Sequence, residues 1–293
     1  MRILIIGSEG FVGQNLVNYL STNHQIFCAD LYPSSNQKNY HQIDITDLSS
    51  VLEIVRDFDV VINLAAHSLV SSLDGTIENA KVNIIGLLNI LESCKKNKIK
   101  KIIFTSASSL IGIPNNERVS EHHFPLPKTA YGISKLASEH YIRLYHELYG
   151  LNYVIFRFFN IYGPYQKNGL IPSLYNRIIN HQPVTIFGKG DQIRDYVFIE
   201  DVVSFFEDAI NSSKTDNQIF NMGTGNGYTI KEVVNFLAKS VNIEAKIDFQ
   251  AERPGEIGNF VSDTSTLYSV FKKIPNTSLD DGIKKTVDWL KQH

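Results

Sequence analysis

Five short apolar runs in the first 160 residues place the strongest limit on the fold. They read RILIIG (residues 2–7), QIFCAD (25–30), VVINLA (60–65), KIIFTS (101–106) and YVIFRF (153–158). They lack the polar alternation of half-exposed strands, which indicates strands that are buried on both faces. Helical patterns separate several of them, at about residues 10–20, 81–97 and 131–149. This alternation predicts an α/β fold with a doubly wound parallel sheet.

The charge and cysteine content exclude several classes of protein. With 28 basic and 30 acidic residues, the chain has neither the basic excess of a nucleic-acid-binding protein nor an acidic tail. Cys28 and Cys94 are too few for a disulfide framework or a metal cluster, and the histidines lack metal-ligand spacing. Gly7, Ser8 and Glu9 interrupt the apolar start, so we read it as neither a signal peptide nor a membrane span. We expect a cytoplasmic protein that binds no metal, nucleic acid or membrane.

A glycine-rich turn follows the first predicted strand. The segment GSEGFVG places Gly7, Gly10 and Gly13 where a strand gives way to a helix. Glycines there permit a tight turn, the close approach of a pyrophosphate to the backbone, and close packing of the helix on the strand. Asp30 ends the next strand, where a carboxylate accepts hydrogen bonds from a ribose 2′-hydroxyl and repels a 2′-phosphate. The pattern favours an NAD site, with a purely structural glycine turn as the alternative.

The second half of the chain is less regular than the first. Gly and Pro cluster in NIYGPYQKNGLIP, in IFGKGDQIRDY and near ERPGEIG. We predict a dinucleotide-binding domain over residues 1–160, with segments near 194–224 returning to it. Residues 161–293 are expected to form mainly a smaller, C-terminal substrate-binding region.

Tyr131 and Lys135 lie four residues apart in TAYGISK and therefore share one face of a helix. A lysine ammonium beside a phenol favours the phenolate, which could serve as a general base near neutral pH. Such a pair also arises by chance in a chain with 14 tyrosines. Its meaning depends on what the rest of the chain builds around it.

Together with YGISK, the glycine spacing resembles that of the extended short-chain dehydrogenases/reductases. Within that superfamily the chain looks like a member of the NAD-dependent epimerase/dehydratase family, similar to epimerases of the UDP-glucose 4-epimerase type. Matching motifs run from Gly7 to about Glu256. The resemblance implies a Rossmann fold, NAD as the cofactor, and a nucleotide sugar as the substrate.

The resemblance also implies a set of cofactor contacts. Asp44 and Ile45 would flank the adenine, Asn83 would steady the nicotinamide half, and Phe159 would lie beside the nicotinamide. Leu64 and the two alanines after it would line the cofactor groove, although they would be core residues in any such sheet. The predicted cofactor-binding residues are Gly7, Gly10, Phe11, Val12, Gly13, Asp30, Leu31, Asp44, Ile45, Leu64, Ala65, Ala66, Asn83, Thr105, Ser106, Tyr131, Lys135 and Phe159.

For the chemistry, the resemblance assigns Tyr131 as the base and Lys135 as the residue that holds the nicotinamide ribose. Tyr131 would remove a proton from a sugar hydroxyl while hydride leaves the same carbon for NAD. Catalytic roles are thus predicted for Tyr131, Lys135 and one serine.

The chain departs from the family where a Ser or Thr usually lies beneath the sugar hydroxyl, because Ala107 occupies that position. We predict that Ser108 takes over its role, with Ser106 as the alternative. The Thr-Asp-Glu triplet of the family's dehydratases reads Ala107, Ser108, Ser109 here. Without a carboxylate pair to remove the 6-hydroxyl, 4,6-dehydration is disfavoured.

Substrate contacts are also implied by the resemblance. Arginines that match the family's diphosphate ligands suit this role because a guanidinium is always charged and binds phosphate oxygens in a fork. Ordinary surface charges are the alternative. The predicted substrate-binding residues are Asn160, Leu170, Phe187, Arg194, Arg253 and Glu256.

These features favour an NAD-dependent nucleotide-sugar 4-epimerase, acting on a UDP-hexose by transient oxidation at C4 and return of the hydride. The alternatives are an NAD(P)H-dependent 4-ketoreductase on a nucleotide sugar and a catalytically weak dinucleotide-binding protein, the latter because of Ala107. The family's dimer interface uses the helices near residues 81–97 and 131–149, so a homodimer is expected.

Overall fold

The computed structural model describes residues 1–34, 39–114, 118–252 and 258–293. Its backbone contacts divide the chain into two compact units. The first unit comprises Met1–Gly112, His122–Phe158 and Val203–Phe220. The second comprises Ile113–Glu121, Phe159–Val202 and Asn221–His293.

The strands of the described residues follow the apolar runs in the first half and fall among the Gly- and Pro-rich segments in the second. They are β1 (Arg2–Ile6), β2 (Gln25–Asp30), β3 (Tyr40–Gln42), β4 (Val60–Asn63), β5 (Lys101–Ala107), β6 (Asn152–Phe158), β7 (Asn160–Tyr162), β8 (Val184–Phe187), β9 (Ile193–Phe198), β10 (Gln218–Met222), β11 (Gly227–Thr229), β12 (Ile247–Gln250) and β13 (Asn259–Phe260).

The α-helices of the described residues follow the same order along the chain. They are α1 (Phe11–Leu20), α2 (Leu48–Ile54), α3 (Thr76–Ala80), α4 (Leu87–Lys96), α5 (Ala130–Tyr149), α6 (Leu170–Ile179), α7 (Ile199–Asn211), α8 (Ile230–Val241), α9 (Ser265–Phe271) and α10 (Leu279–Leu290). None of these helices is both long and apolar enough to cross a bilayer.

A seven-stranded sheet forms the core, with the strand order β10-β6-β5-β4-β1-β2-β3. The pairs β2–β3, β1–β2, β1–β4, β4–β5 and β5–β6 are all parallel. Every residue of β5 is buried, as are four of the five residues of β1. The predicted fold class is therefore confirmed, because strands this apolar are stable only where helices cover both faces of the sheet.

The 20-residue helix α5 has well-defined ends. The Thr129 side chain accepts a hydrogen bond from the Gly132 amide, which satisfies one of the free N–H groups at the N-terminus. Gly150 ends the helix in the left-handed conformation, with φ of 73°. These caps place Tyr131 in the first turn and Lys135 one turn later.

The predicted helix over residues 81–97 is interrupted by a π-helical segment. Residues Lys81–Gly86 form this segment between α3 and α4. Asn83 lies within it and is buried, with its side chain bonded to neighbouring elements rather than to solvent. A π turn re-aims side chains relative to an α-helix and is common at functional sites.

The second unit contains two smaller sheets. In one, β9 pairs with β11, β13 and β7, and in the other β8 pairs with β12. The buried Asp195 of β9 accepts hydrogen bonds from the amides of Thr224, Gly225 and Ser262. Those bonds hold the loop after β10 against the sheet, which gives Asp195 a structural role.

Candidate active site

A cavity of about 430 Å³ opens at the carboxyl ends of β1, β2, β3 and β4, within the first unit. This is where ligands bind in open α/β sheets, and the volume is typical of a small-molecule site. Nine of the residues predicted to bind the cofactor line it, namely Gly7, Gly10, Asp30, Leu31, Asp44, Ile45, Leu64, Ala65 and Ala66. The residues of this wall come from four separate strand ends, which the fold brings together.

Backbone crowding explains two glycines of the turn. Gly7 has φ of 89°, and a Cβ there would lie 2.6 Å from the Ala65 nitrogen. A Cβ on Gly13 would lie 2.2 Å from the Gly7 carbonyl oxygen, so the start of α1 packs directly on the turn. A side chain at Gly7 would close the gap between the turn and the loop after β4. The space that these glycines keep open, together with the free amides at the start of α1, fits a dinucleotide.

Asp30 is held in place by the backbone around it. Its Oδ2 accepts a hydrogen bond from the Glu9 amide at 2.9 Å, and its Oδ1 accepts one from the Tyr32 amide at 3.2 Å. The carboxylate therefore faces the cavity in a fixed position beside the glycine turn. Asp44, on the neighbouring wall, accepts hydrogen bonds from the Thr46 amide and hydroxyl.

Several residues that line the cavity were missed by the sequence reasoning. They are Ile6, Glu9, Tyr32, Ile43, His67, Ser68, Ser71 and Val82. For Glu9 and His67 a signal existed, because Glu9 lies inside the glycine motif and His67 directly follows NLAA. The others become neighbours only when β3 and the loop after β4 are in place.

Asn83 connects the cavity wall to α5. Its Oδ1 accepts a hydrogen bond from the His67 amide at 2.7 Å, while its Nδ2 donates to the His67 carbonyl at 3.1 Å and to Ser134 Oγ at 3.0 Å. Its bonds hold the backbone of the loop after β4 rather than pointing into the cavity. Asn83 thus fixes the distance between that loop and the helix that carries Tyr131.

Lys135 and Tyr131 meet on one face of α5 at the end of β5. The Lys135 Nζ donates a hydrogen bond to the Thr105 carbonyl at 2.7 Å and lies 5.5 Å from the centre of the Tyr131 ring. It also lies 4.6 Å from the centre of the Phe104 ring. Because β5 pairs with β4, this places the Tyr–Lys pair one strand away from the cavity wall.

Burial acts on the two side chains in opposite directions. It raises the pKa of the Tyr131 phenol to about 12 and lowers the pKa of the Lys135 ammonium to about 7, the latter partly opposed by the charge of Glu139. The sequence argument relied on the lysine charge to favour phenolate. In the protein alone desolvation outweighs that effect, so Tyr131 is protonated at neutral pH.

A buried ion pair supports the Lys135 helix from below. Both Glu139 oxygens are bound by Arg157, at 2.9 Å from Nε and 2.7 Å from Nη2. Ser106 Oγ donates to Glu139 Oε1 at 2.6 Å. The Ser106 hydroxyl is therefore engaged in this network, which speaks against Ser106 as the replacement for the missing hydroxyl at Ala107.

The residues after Ala107 form a short 3₁₀ turn, Ser108–Leu110. Ser109 Oγ is buried and has no hydrogen-bond partner among the described residues. The Ser109 carbonyl oxygen lies against α5, 2.9 Å from where a Cβ on Gly132 would be. The turn thus packs beside Tyr131, and a catalytic role for Ser108 stays a prediction.

The predicted substrate residues that can be described lie in the second unit. Asn160 Nδ2 donates to the Asp195 carbonyl at 3.0 Å, and Arg194 Nη1 donates to the Ile193 carbonyl at 2.9 Å. Phe187 ends β8 and Leu170 begins α6. Arg253 and Glu256 lie outside the described residues. Phe159, which was predicted to contact the cofactor, also lies in the second unit and packs on Phe260.

Comparison with known proteins identifies the family. A sequence model of the NAD-dependent epimerase/dehydratase family matches residues 3–223. The chain belongs to this family. It is an NAD-dependent epimerase of the extended short-chain dehydrogenase/reductase type, and NAD is its cofactor, as the sequence predicted.

Three solved structures of the family are similar to the whole chain. UDP-glucose 4-epimerase from Thermotoga maritima with UDP-glucose is 30% identical, with a TM-score of 0.92 over 100% of this chain and 99% of that one. UDP-N-acetylglucosamine 4-epimerase from Methanobrevibacter ruminantium, with UDP-N-acetylmuramic acid, is 28% identical, with a TM-score of 0.92 over 99% of this chain and 98% of that one. UDP-glucuronic acid 4-epimerase from Bacillus cereus, with UDP-glucuronic acid and NAD, is 30% identical, with a TM-score of 0.90 over 100% of this chain and 99% of that one.

Proposed function

We propose that this protein is a UDP-sugar 4-epimerase that oxidises its substrate at C4 and returns the hydride to the opposite face. The observation that carries the proposal is the Tyr131–Lys135 pair, held by the Thr105 carbonyl one strand away from the cavity. The three similar structures are 4-epimerases of UDP-sugars, which supports both the reaction and the uridine nucleotide.

In the proposed mechanism Tyr131 exchanges a proton with the C4 hydroxyl. NAD supplies the hydride acceptor and, in the second half of the cycle, the donor. Its oxidised nicotinamide brings a positive charge, and a charge of that sign lowers the pKa of a nearby phenol toward the working pH. Lys135 stays fixed by the Thr105 carbonyl, so it can bind a ribose hydroxyl without moving.

Epimerisation requires that the sugar turn over while its nucleotide stays bound. We propose that Arg194 and Arg253 hold the diphosphate, since guanidinium groups bind phosphate oxygens in a fork. Leu170, Phe187, Asn160 and Glu256 are proposed to position the rest of the nucleotide sugar. Binding energy is then remote from C4, and the flat 4-keto sugar can rotate about its bond to the phosphate.

A dehydratase reaction is not favoured by the residues present. Removal of the 6-hydroxyl needs an acid and a base near C5 and C6, whereas the end of β5 and the turn after it offer Ala107, Ser108 and Ser109. The proposed cycle consumes no reductant, in contrast to a 4-ketoreductase, which must exchange its cofactor at each turnover.

We also propose a homodimer located in the cytoplasm. Apolar side chains are exposed along one face of α5, with Ile133 at 55%, Leu144 at 42% and Leu148 at 60% exposure. Ile77 and Ile85, on α3 and the π-helical segment, are exposed as well. An apolar stripe of this kind supports burial against a second copy of the chain.

The proposal is tested by incubating the protein with NAD and a panel of UDP- and dTDP-hexoses, without reductant, and following the C4 proton by NMR. We expect a 4-epimer to appear from at least one UDP-sugar. If no sugar changes until NADH or NADPH and a 4-keto substrate are supplied, the protein is a ketoreductase and the proposal fails.

A further inference from the structure

The glycine turn carries a carboxylate that the family motif does not explain. Glu9 lies between Gly7 and Gly10 and lines the cavity together with Asp30. A negative charge beside a phosphate-binding turn opposes the ligand, so its presence requires a reason. Its backbone points to the adjacent carboxylate, because the Glu9 amide donates to Asp30 Oδ2 at 2.9 Å.

The carboxylates of Asp30 and Glu9 differ in the hydrogen bonds that they accept. Each Asp30 oxygen accepts a backbone N–H, from Glu9 and from Tyr32. Glu9 Oε1 is buried and has no hydrogen-bond partner among the described residues. A buried carboxylate oxygen that lacks a donor keeps the full cost of its desolvation until a ligand supplies one.

Two groups that do not line the cavity are also affected by the charge of Glu9. Burial raises the pKa of the Cys28 thiol to about 11, and the charge of Glu9 adds to that rise. Burial likewise raises the pKa of the Tyr40 phenol to about 12, with contributions from Asp30 and then Glu9. The described residues that line the cavity include neither Lys nor Arg, so neither of these side chains offsets the carboxylates of Glu9, Asp30 and Asp44.

We propose that Glu9 is a second cofactor-selecting residue, which acts with Asp30 to exclude a dinucleotide that carries a 2′-phosphate. A phosphate monoester bears about 1.5 to 2 negative charges at pH 7, and it would meet two carboxylates at one wall. The ribose of NAD would instead bring hydroxyl donors to this wall, and one of them would satisfy Glu9 Oε1. The inference rests on the proposed position of NAD in this cavity.

The test compares equilibrium binding of NAD and NADP to cofactor-depleted protein by calorimetry. In Glu9→Gln, which keeps the shape and removes the charge, NADP affinity is expected to rise about tenfold, because like charges a few ångströms apart repel strongly where solvent is partly excluded. NAD affinity should change less than about threefold, since an amide oxygen still accepts a hydroxyl. Higher salt should reduce the gain in NADP affinity.

Glu53→Gln is the matched control, because Glu53 is exposed and does not line the cavity. Unchanged NADP affinity in Glu9→Gln, or an equal gain in Glu53→Gln, would overturn the inference. Failure of wild-type protein to bind NAD would overturn it together with the proposed cofactor position. Altered NAD/NADP selectivity without turnover of any UDP-sugar would sink the 4-epimerase proposal and leave this one standing.

Discussion

Burial shifts the pKa values of Tyr131 and Lys135 in opposite directions. Desolvation raises the pKa of the phenol and lowers that of the ammonium, and both changes favour the neutral form. In this state the Tyr131 phenol keeps its proton, and a positive charge bound nearby would lower its pKa. The tyrosine is therefore expected to depend on the bound cofactor for its activity as a base.

Replacing Tyr131 by Phe removes the proton acceptor while keeping the ring. We expect turnover to fall by about 10² to 10⁴, the usual contribution of general acid–base catalysis. NAD binding should remain within a few-fold of wild type, because the ring still packs beside Lys135. Rates from the NMR assay and NAD affinity from calorimetry provide the comparison, and near-normal turnover in Tyr131→Phe would remove Tyr131 from the mechanism.

Lys135 predicts a specific dependence of stability on pH. Its folded-state pKa is about 7 and its ordinary value is 10.5, so between these values the unfolded chain binds more protons than the folded one. The stability of the wild type should therefore gain from rising pH across this window. Relative to Lys135→Met, which cannot titrate, the wild type should improve steadily from about pH 7 to 10.

Urea unfolding of both proteins in the absence of NAD measures this difference. The lost bond to the Thr105 carbonyl adds an offset that does not vary with pH, so the slope carries the information. A difference between the two proteins that stays constant with pH would show that Lys135 is not perturbed by burial.

At the scale of elements, the glycine turn and the start of α1 pack too closely to admit a side chain at Gly13. Gly13→Ala would place a methyl group 2.2 Å from the Gly7 carbonyl oxygen, so the turn and helix must separate. We expect overpacking to lower the free energy of unfolding by about 1–3 kcal/mol. NAD affinity is expected to fall as well, and its loss, expressed as a free energy of binding, should exceed the loss of stability.

Gly258→Ala is the control, because no atom of the described residues lies within 4 Å of a Cβ at that position. Denaturant unfolding and NAD titration on both variants give the result. Equal behaviour of the two variants would mean that close packing at Gly13 is not required.

The sequence predicted the elements whose residues are mostly apolar and therefore buried. The five apolar strands and α1 and α5 match within a few residues, because these runs have no other stable arrangement than a covered parallel sheet. β3 (sequence YHQ) was missed, since its polar residues become a strand only by pairing with β2. The π-helical segment was missed as well, because it depends on the contacts of Asn83 with the His67 backbone and Ser134.

The sequence motifs also located part of the candidate site. Motif residues at strand ends, such as Gly7, Asp30 and Ala65, line the cavity, and their binding of NAD stays a prediction. The protonation state of Tyr131 was not predictable, because spacing reports the neighbouring charge but not the loss of solvent that outweighs it. The engagement of Ser106 by Glu139 likewise required the packing of α5 against β5.

At the scale of the whole molecule, the exposed apolar face of α5 predicts the assembly. Sedimentation velocity is expected to show a dimer, which Leu148→Glu should weaken or dissociate because a charge cannot be buried there without a partner. Tyr268→Glu is the matched control, since Tyr268 is 57% exposed in the second unit. A monomeric wild type at micromolar concentration would contradict the prediction.

The central claim is that hydride leaves C4 and returns to the same sugar. The most direct measurement uses the UDP-hexose that reacts, labelled with deuterium at C4, in ordinary water with unlabelled NADH added to the solution. The account predicts a 4-epimer that retains its deuterium at C4, seen by NMR and mass spectrometry. Loss of deuterium to water or to the added cofactor would contradict it, because the hydride would then not have been held and returned within one turnover.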